Sequence, residues 1–92
     1  MKIAFDPKKD AVNVKRHDVS LALADRLEWD ELLGIVDRRR EYGEVRWVGY
    51  APIGARVYCV VFTDRGDTRR VISLRKANRR EVKHYEIKIK SR

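Results

Sequence analysis

Two kinds of side chain in this sequence are suited to work on a phosphate. One is a run of cations: Arg69, Arg70, Arg75, Lys76, Arg79, Arg80 and Lys83. Planar guanidinium forks grip phosphate oxygens in pairs, and ammonium groups act as compact point charges. Arg46, on a predicted neighbouring strand, is placed to join them. The other kind is imidazole, present only at His17 and His84. An imidazole ordinarily titrates near neutrality, which suits it to proton transfer. Trp47, Tyr50 and Tyr85 lie near cations in the sequence, and aromatic rings in such settings stack on nucleobases. For Tyr85, packing of the last helix on the sheet is an equal expectation. For any one of these arginines the plain alternative is a solvated charge.

Other chemistries lack the residues to carry them. There is no HExxH, no CxxC and no carboxylate cluster with metal-ligand spacing, so no metal is expected. The glycines form neither GxGxxG nor a phosphate loop, so no nucleotide cofactor is expected. Cys59 is the only cysteine, which leaves no internal disulfide. It lies in the most apolar stretch and reads as a core thiol, because reactive thiolates need accessible, electropositive surroundings.

The 92 residues carry a net charge of +8. Residues 1–64 hold 11 basic and 11 acidic side chains, whereas residues 65–92 hold 11 basic and 3 acidic ones. All the excess positive charge therefore sits in the last segment, and a one-sided basic patch points to a polyanion, most often nucleic acid. The length suits one domain over residues 1–92. No apolar run approaches a membrane span, and the N-terminus lacks a signal-peptide stretch, so a cytoplasmic protein without a membrane partner is expected.

The elements that must position these residues follow from pattern. Lys2 to Phe5 reads as a short strand. Asp6 caps and Pro7 opens a helix to about His17, with Ala11 and Val14 on its apolar side and Asp18 marking its end. Ser20 caps a second helix carrying Leu21, Ala24 and Leu27. Asp25, Glu28, Asp30 and Glu31 crowd its C-terminal end, against the helix dipole. Four strands follow, over Leu33–Val36, Val45–Tyr50, Val57–Phe62 and Arg69–Lys76, with turns at Pro52-Ile53-Gly54 and Asp64-Arg65-Gly66-Asp67. Val57–Phe62, apolar throughout, reads as central. Asn78 with Glu81 three residues on is a capping box, opening a last helix with a Val82, Tyr85, Ile89 stripe. Alternation along the last strand puts Arg69, Val71, Ser73 and Arg75 on one face and Arg70, Ile72 and Leu74 on the other, core-facing side. The class is α+β, an antiparallel sheet with two N-terminal helices and a C-terminal helix.

Phe5-Asp6-Pro7-Lys8-Lys9, Asn13, Arg16-His17 and Val19-Ser20 resemble the opening of BrnT-type toxins. Glu44-x-Arg46 and Gly49 fit the middle of that family. Arg70-Val71-Ile72-Ser73-Leu74-Arg75-Lys76-Ala77, followed by Glu81 and Tyr85, is similar to its closing signature. Phe5 stands where the family usually has Trp, and Arg16 where it usually has Lys. The resemblance implies a RelE-like fold and the toxin of a type II toxin–antitoxin pair, an endoribonuclease that cuts RNA and arrests translation. It implies a cognate antitoxin of ribbon-helix-helix type as partner, with operator DNA bound only through that antitoxin. By analogy the RNA's own 2′-OH attacks the adjacent phosphate. His17 or Glu44 would move the proton, and Arg46, Arg70 and Arg75 would stabilise the phosphate. Arg69, Lys76, Arg79, Arg80, Lys83 and Tyr85 would bind RNA. A non-catalytic basic nucleic-acid-binding module, needing only the basic patch, is the alternative, as is a domain that binds an acidic protein.

Overall fold

The apolar run around Val57–Phe62 takes the centre of a five-stranded sheet, in a computed structural model that describes residues 1–92. In chain order the strands are β1 (Lys2–Ala4), β2 (Leu33–Val36), β3 (Trp47–Ile53), β4 (Arg56–Arg65) and β5 (Thr68–Lys76). The helices are α1 (Pro7–His17) and α2 (Arg79–Lys90). The sheet order is β1-β5-β4-β3-β2. β2 to β5 form an antiparallel meander, but β1 pairs parallel to β5 through Lys2–Ala4 and Thr68–Arg70, so the sheet is mixed. The connection from β1 to β5 spans most of the chain, and a parallel pairing is open to it. Pro52 and Ile53 belong to β3; the turn is Gly54-Ala55. Gly49 in β3 lets β2 approach: a Cβ there would meet the Leu32 side chain at 2.7 Å and the Leu33 carbonyl at 3.0 Å.

The expected second helix is not an α-helix. Residues Leu21–Arg26 and Trp29–Glu31 form two short 3-10 segments. Leu21, Ala24 and Leu27 recur every third residue, and all three are buried. A three-residue turn aligns such positions on one side. Ser20 caps the first segment, and Asp10 ties it to α1 by accepting from the Ser20 hydroxyl at 3.0 Å and the Leu21 N–H at 2.7 Å. The Glu28 N–H donates to the Pro52 carbonyl at 3.0 Å, fixing the second segment to β3. The core joins Val19, Leu21, Ala24 and Leu27 to Ala51, Tyr58, Val60, Phe62, Val71 and Leu74 on one face of the sheet.

α1 docks in a way its apolar residues did not foretell. Ala11 and Val14 are exposed, and Asn13 is the residue the helix buries. Because β1 ends at Ala4, opposite Arg70, the outer edge of β5 beyond that point has no strand beside it. The Asn13 amide fills the gap. Its Nδ2 donates to the Leu74 carbonyl at 2.7 Å and the Val19 carbonyl at 2.8 Å, while its Oδ1 accepts from the Leu74 N–H at 3.1 Å. One side chain thus does a neighbouring strand's work and closes an edge that otherwise invites pairing with another chain.

Asn13→Ala should fold but lose about 2–4 kcal/mol, because buried backbone groups left unpaired cost about 1–3 kcal/mol each. For a chain this size that lowers Tm by roughly 10–30 °C. Thermal unfolding followed by circular dichroism checks this, and a change of only a degree or two would show that the edge is held by other contacts.

Candidate active site

A bulge in β5 decides which cations share a face. Phe62 pairs with Val71 but Val61 pairs with Ser73, so Ile72 is an extra residue. Simple alternation therefore fails along this strand. Val71 and Leu74 both point into the core, at 1% and 0% exposure. Arg70, Ser73 and Arg75 share the opposite face, and Arg69 takes the core side. This corrects the expected grouping of Arg69 with Arg75 and of Arg70 with the core.

Arg69 is committed to packing. Its guanidinium carbon lies 4.4 Å from the Phe62 ring centroid and 4.8 Å from that of Trp29. It also binds Asp64 through bonds of 2.8 and 2.9 Å, which hold that carboxyl below its ordinary range. Arg70 differs: no carboxylate pairs with it or with Arg46. Trp47 pairs with Phe62 and Thr63 with Arg70, so the register carries Arg46 into line with Thr63 and Arg70. Two strand spacings separate the two arginines, roughly 10 Å. The Arg46 guanidinium lies over the Tyr42 ring at 4.1 Å, and its Nε is buried without a hydrogen-bond partner.

Arg75 is half engaged. Its Nη1 and Nη2 each donate to Glu81 at 2.8 Å, and the Tyr50 hydroxyl donates to the same carboxylate at 2.8 Å. Glu81 also completes the capping box of α2, accepting from the Asn78 N–H at 2.9 Å. One carboxylate thus joins β3, β5 and the start of α2. The Arg75 guanidinium holds its carboxyl down to about 2, outweighing burial. Burial, and then the bond to Glu81, push the Tyr50 phenol well above its ordinary range.

His17 ends α1, half-buried, and its imidazole makes no hydrogen bond to the protein. It lines a cleft of about 480 Å³ between α1 and β5, together with Lys8, Lys9, Arg16 and Ser73. Helical spacing stacks Lys8, Val12 and Arg16 in one row and Lys9, Asn13 and His17 in the next. Ser73 is two residues from Arg75 and three from Arg70, about 7–10 Å along the strand. Arg46, Arg70 and Arg75 do not line this cleft; Ser73 links it to the strand that carries Arg70 and Arg75. Glu44 lies elsewhere. It pairs with Arg65 at 3.1 Å and lines a separate cleft in the loop between β2 and β3, which shares no residue with the first. The two residues expected to compete for proton transfer are thus in different places.

Lys76, Arg79, Arg80 and Lys83 are exposed. Arg79 and Lys83 face Arg56 across a cleft of about 790 Å³ beside α2. Tyr85 is buried, and its hydroxyl donates to the Glu31 carbonyl at 2.7 Å, so it fastens α2 rather than offering a ring to a base. Cys59 is buried, and desolvation pushes its thiol up. Sequence reasoning passed over Lys8, Lys9 and Arg16, although their spacing from Val12, Asn13 and His17 on one helix was there to read. It also passed over Tyr42, whose loop has no periodicity.

Unpaired guanidinium groups and an imidazole without a bonding partner are side chains suited to phosphate esters. Residues 5–81 match the family described as the ribonuclease toxin, BrnT, of type II toxin–antitoxin systems, and the chain belongs to that family. The matched span holds His17, Glu44, Arg46, Arg70 and Arg75 and ends on Glu81. Membership brings RNA as substrate and an antitoxin as partner. Comparison with curated proteins returned no match. No helix is long and apolar enough to cross a membrane.

Because the Glu81 carboxyl is depressed in the folded chain, its contribution to stability is present above about 4.5 and is lost as pH falls toward about 2. Glu81→Gln should be less stable than wild type at pH 7, and the difference should shrink across that window. Urea unfolding at a series of pH values measures it; parallel curves for the two proteins would remove Glu81 from the acid response.

Proposed function

We propose that this chain is a metal-independent endoribonuclease of RelE-like arrangement, with residues 1–92 acting as one domain and the cleft between α1 and β5 as its catalytic centre. The observation that carries this reading is the placement of His17, its imidazole free of protein hydrogen bonds, beside Ser73 on the strand that bears Arg70 and Arg75. The 2′-oxygen of the RNA gives its proton to His17 and attacks the adjacent phosphorus. The P–O5′ bond breaks and the 5′-oxygen takes up a proton from water, leaving a 2′,3′-cyclic phosphate and a 5′-OH, and His17 then returns its proton to water. Arg70, with Arg46 and Arg75, balances the charge that builds on the phosphoryl oxygens. Glu44 is tied to Arg65 in the other cleft, which favours His17 over it for the proton.

Lys8, Lys9 and Arg16 at the cleft, with Lys76, Arg79, Arg80 and Lys83 farther along, track the flanking backbone of the RNA. In the cytoplasm such cleavage stops translation. A ribbon-helix-helix antitoxin neutralises the toxin and carries it to operator DNA.

Purified protein should cut RNA in excess EDTA and leave cyclic phosphate ends detectable by mass spectrometry. His17→Ala should lower the rate by about 10²–10⁴, the usual worth of a positioned acid or base. Arg70→Ala should lower it by about 10²–10³, with Arg70→Lys a partial rescue. Folded variants that cleave at wild-type rate would move the centre away from this cleft, and binding without cleavage would favour the non-catalytic module. Induced alone in a bacterium, the wild-type protein should stop growth, and His17→Ala should not.

A further inference from the structure

The connection between β2 and β3 is longer than its topology needs. Antiparallel neighbours can be joined by two residues, whereas this link runs from Asp37 to Arg46. It is also built rather than slack. The Asp37 carboxylate is buried and accepts four bonds: from the Arg39 N–H at 3.1 Å, from Arg39 Nε and Nη2 at 2.8 Å each, and from the Tyr42 hydroxyl at 2.9 Å. These hold the Tyr42 ring in place, with the Arg46 guanidinium over it at 4.1 Å. The loop walls a cleft of about 500 Å³ that Tyr42, Glu41, Arg38 and Arg40 line and Arg46 does not. That volume is in the range of small-ligand sites. Register brings the loop to the same end of the sheet as Arg46 and Arg70, through the bond from the Asp37 N–H to the Arg46 carbonyl at 2.7 Å.

We propose that this cleft is a nucleobase subsite, in which Tyr42 stacks on a base of the RNA and Glu41 selects a base that carries an exocyclic amino group. The inference rests on the ribonuclease reading for its substrate. Tyr42 is fixed through its hydroxyl, so ordering the ring costs nothing further when a base arrives. Base–aromatic stacking is worth about 1–3 kcal/mol per base. The carboxylates around the cleft differ in what they have left to offer. Asp37 is saturated, and Glu44 is occupied by Arg65. Glu41 accepts only from the Gly43 N–H, at 3.2 Å through Oε1. Its second oxygen remains for a ligand donor. An ionised carboxylate only accepts. Guanine offers two adjacent N–H donors to it, adenine and cytosine offer an amino group, and uracil flanks its single N–H with two carbonyls. Arg38 and Arg40 are exposed with no carboxylate partner and can hold the phosphates on either side.

Backbone amide NMR shifts report binding without requiring cleavage. Titration with GMP, AMP, CMP, UMP and inorganic phosphate should shift the amides of residues 38–46, with GMP tightest and UMP at least tenfold weaker. Tyr42→Ala should weaken GMP at least tenfold, and Glu41→Gln, which leaves the Asp37 network intact, should narrow the gap between GMP and UMP. On a mixed-sequence RNA, Tyr42→Ala should flatten the nucleotide preference around the cut sites that remain. Equal binding of all four nucleotides, shifts matched by phosphate alone, or an unchanged cut-site profile in folded Tyr42→Ala would overturn the subsite. Loop shifts in a protein that cuts no RNA would instead overturn the ribonuclease reading and leave the base site standing.

Discussion

The amide of Asn13 ties α1 at once to the outer edge of β5 and to the chain at Val19. β1 is too short to cover β5, and past Arg70 the edge of β5 would carry unpaired backbone groups. Asn13 supplies both a donor and an acceptor to Leu74 and a second donor bond to Val19. An amide is suited to this, since no apolar side chain can satisfy a backbone N–H and C=O together. The same three bonds fix the height and rotation of α1 against the strand. Lys9 and His17 lie one turn to either side of Asn13 on the helix, so the cleft beside Ser73 inherits its geometry from that contact. Backbone pairing and site assembly are here one constraint.

A second constraint sorts the cations. The chain has 22 basic side chains, and their number alone does not separate a binding face from a solvated one. The tertiary structure does. Arg39, Arg65, Arg69 and Arg75 each meet a carboxylate, whereas Arg46 and Arg70 meet none. A guanidinium already engaged must give up a partner before it can grip a phosphate; an unpaired one need not. The Arg75–Glu81 pair is intermediate. It joins β5 to α2 and, through Tyr50, to β3, so the strand that carries Arg70 stays fixed.

Legibility from sequence followed the range of the forces involved. Asp6 and Pro7 opening α1, the Asn78–Glu81 capping box, the central place of the Val57–Phe62 run and the four late strands are set by contacts within a few residues, and pattern reached them. The family signature was legible because residue type and spacing along the chain are enough to recognise it, and residues 5–81 match that family. The second helix was misread because a three-residue repeat of Leu21, Ala24 and Leu27 fits an α stripe nearly as well as the 3-10 turns that form.

The mixed α and β class, the basic C-terminal segment and the family were determined by the amino-acid sequence alone, since each rests on local preference, on charge or on a linear motif. Tertiary structure alone decided that Arg69 faces the core and Arg70 does not, because the bulge at Ile72 comes from how β4 pairs with β5 and leaves no mark in the alternation of β5 itself. It also decided that His17 and Glu44 occupy separate clefts, that Tyr85 fastens a helix, and that Tyr42 stands fixed beneath Arg46. Those outcomes hang on hydrogen bonds and stacking between residues far apart in the chain or within an irregular loop, where neither periodicity nor composition carries a signal.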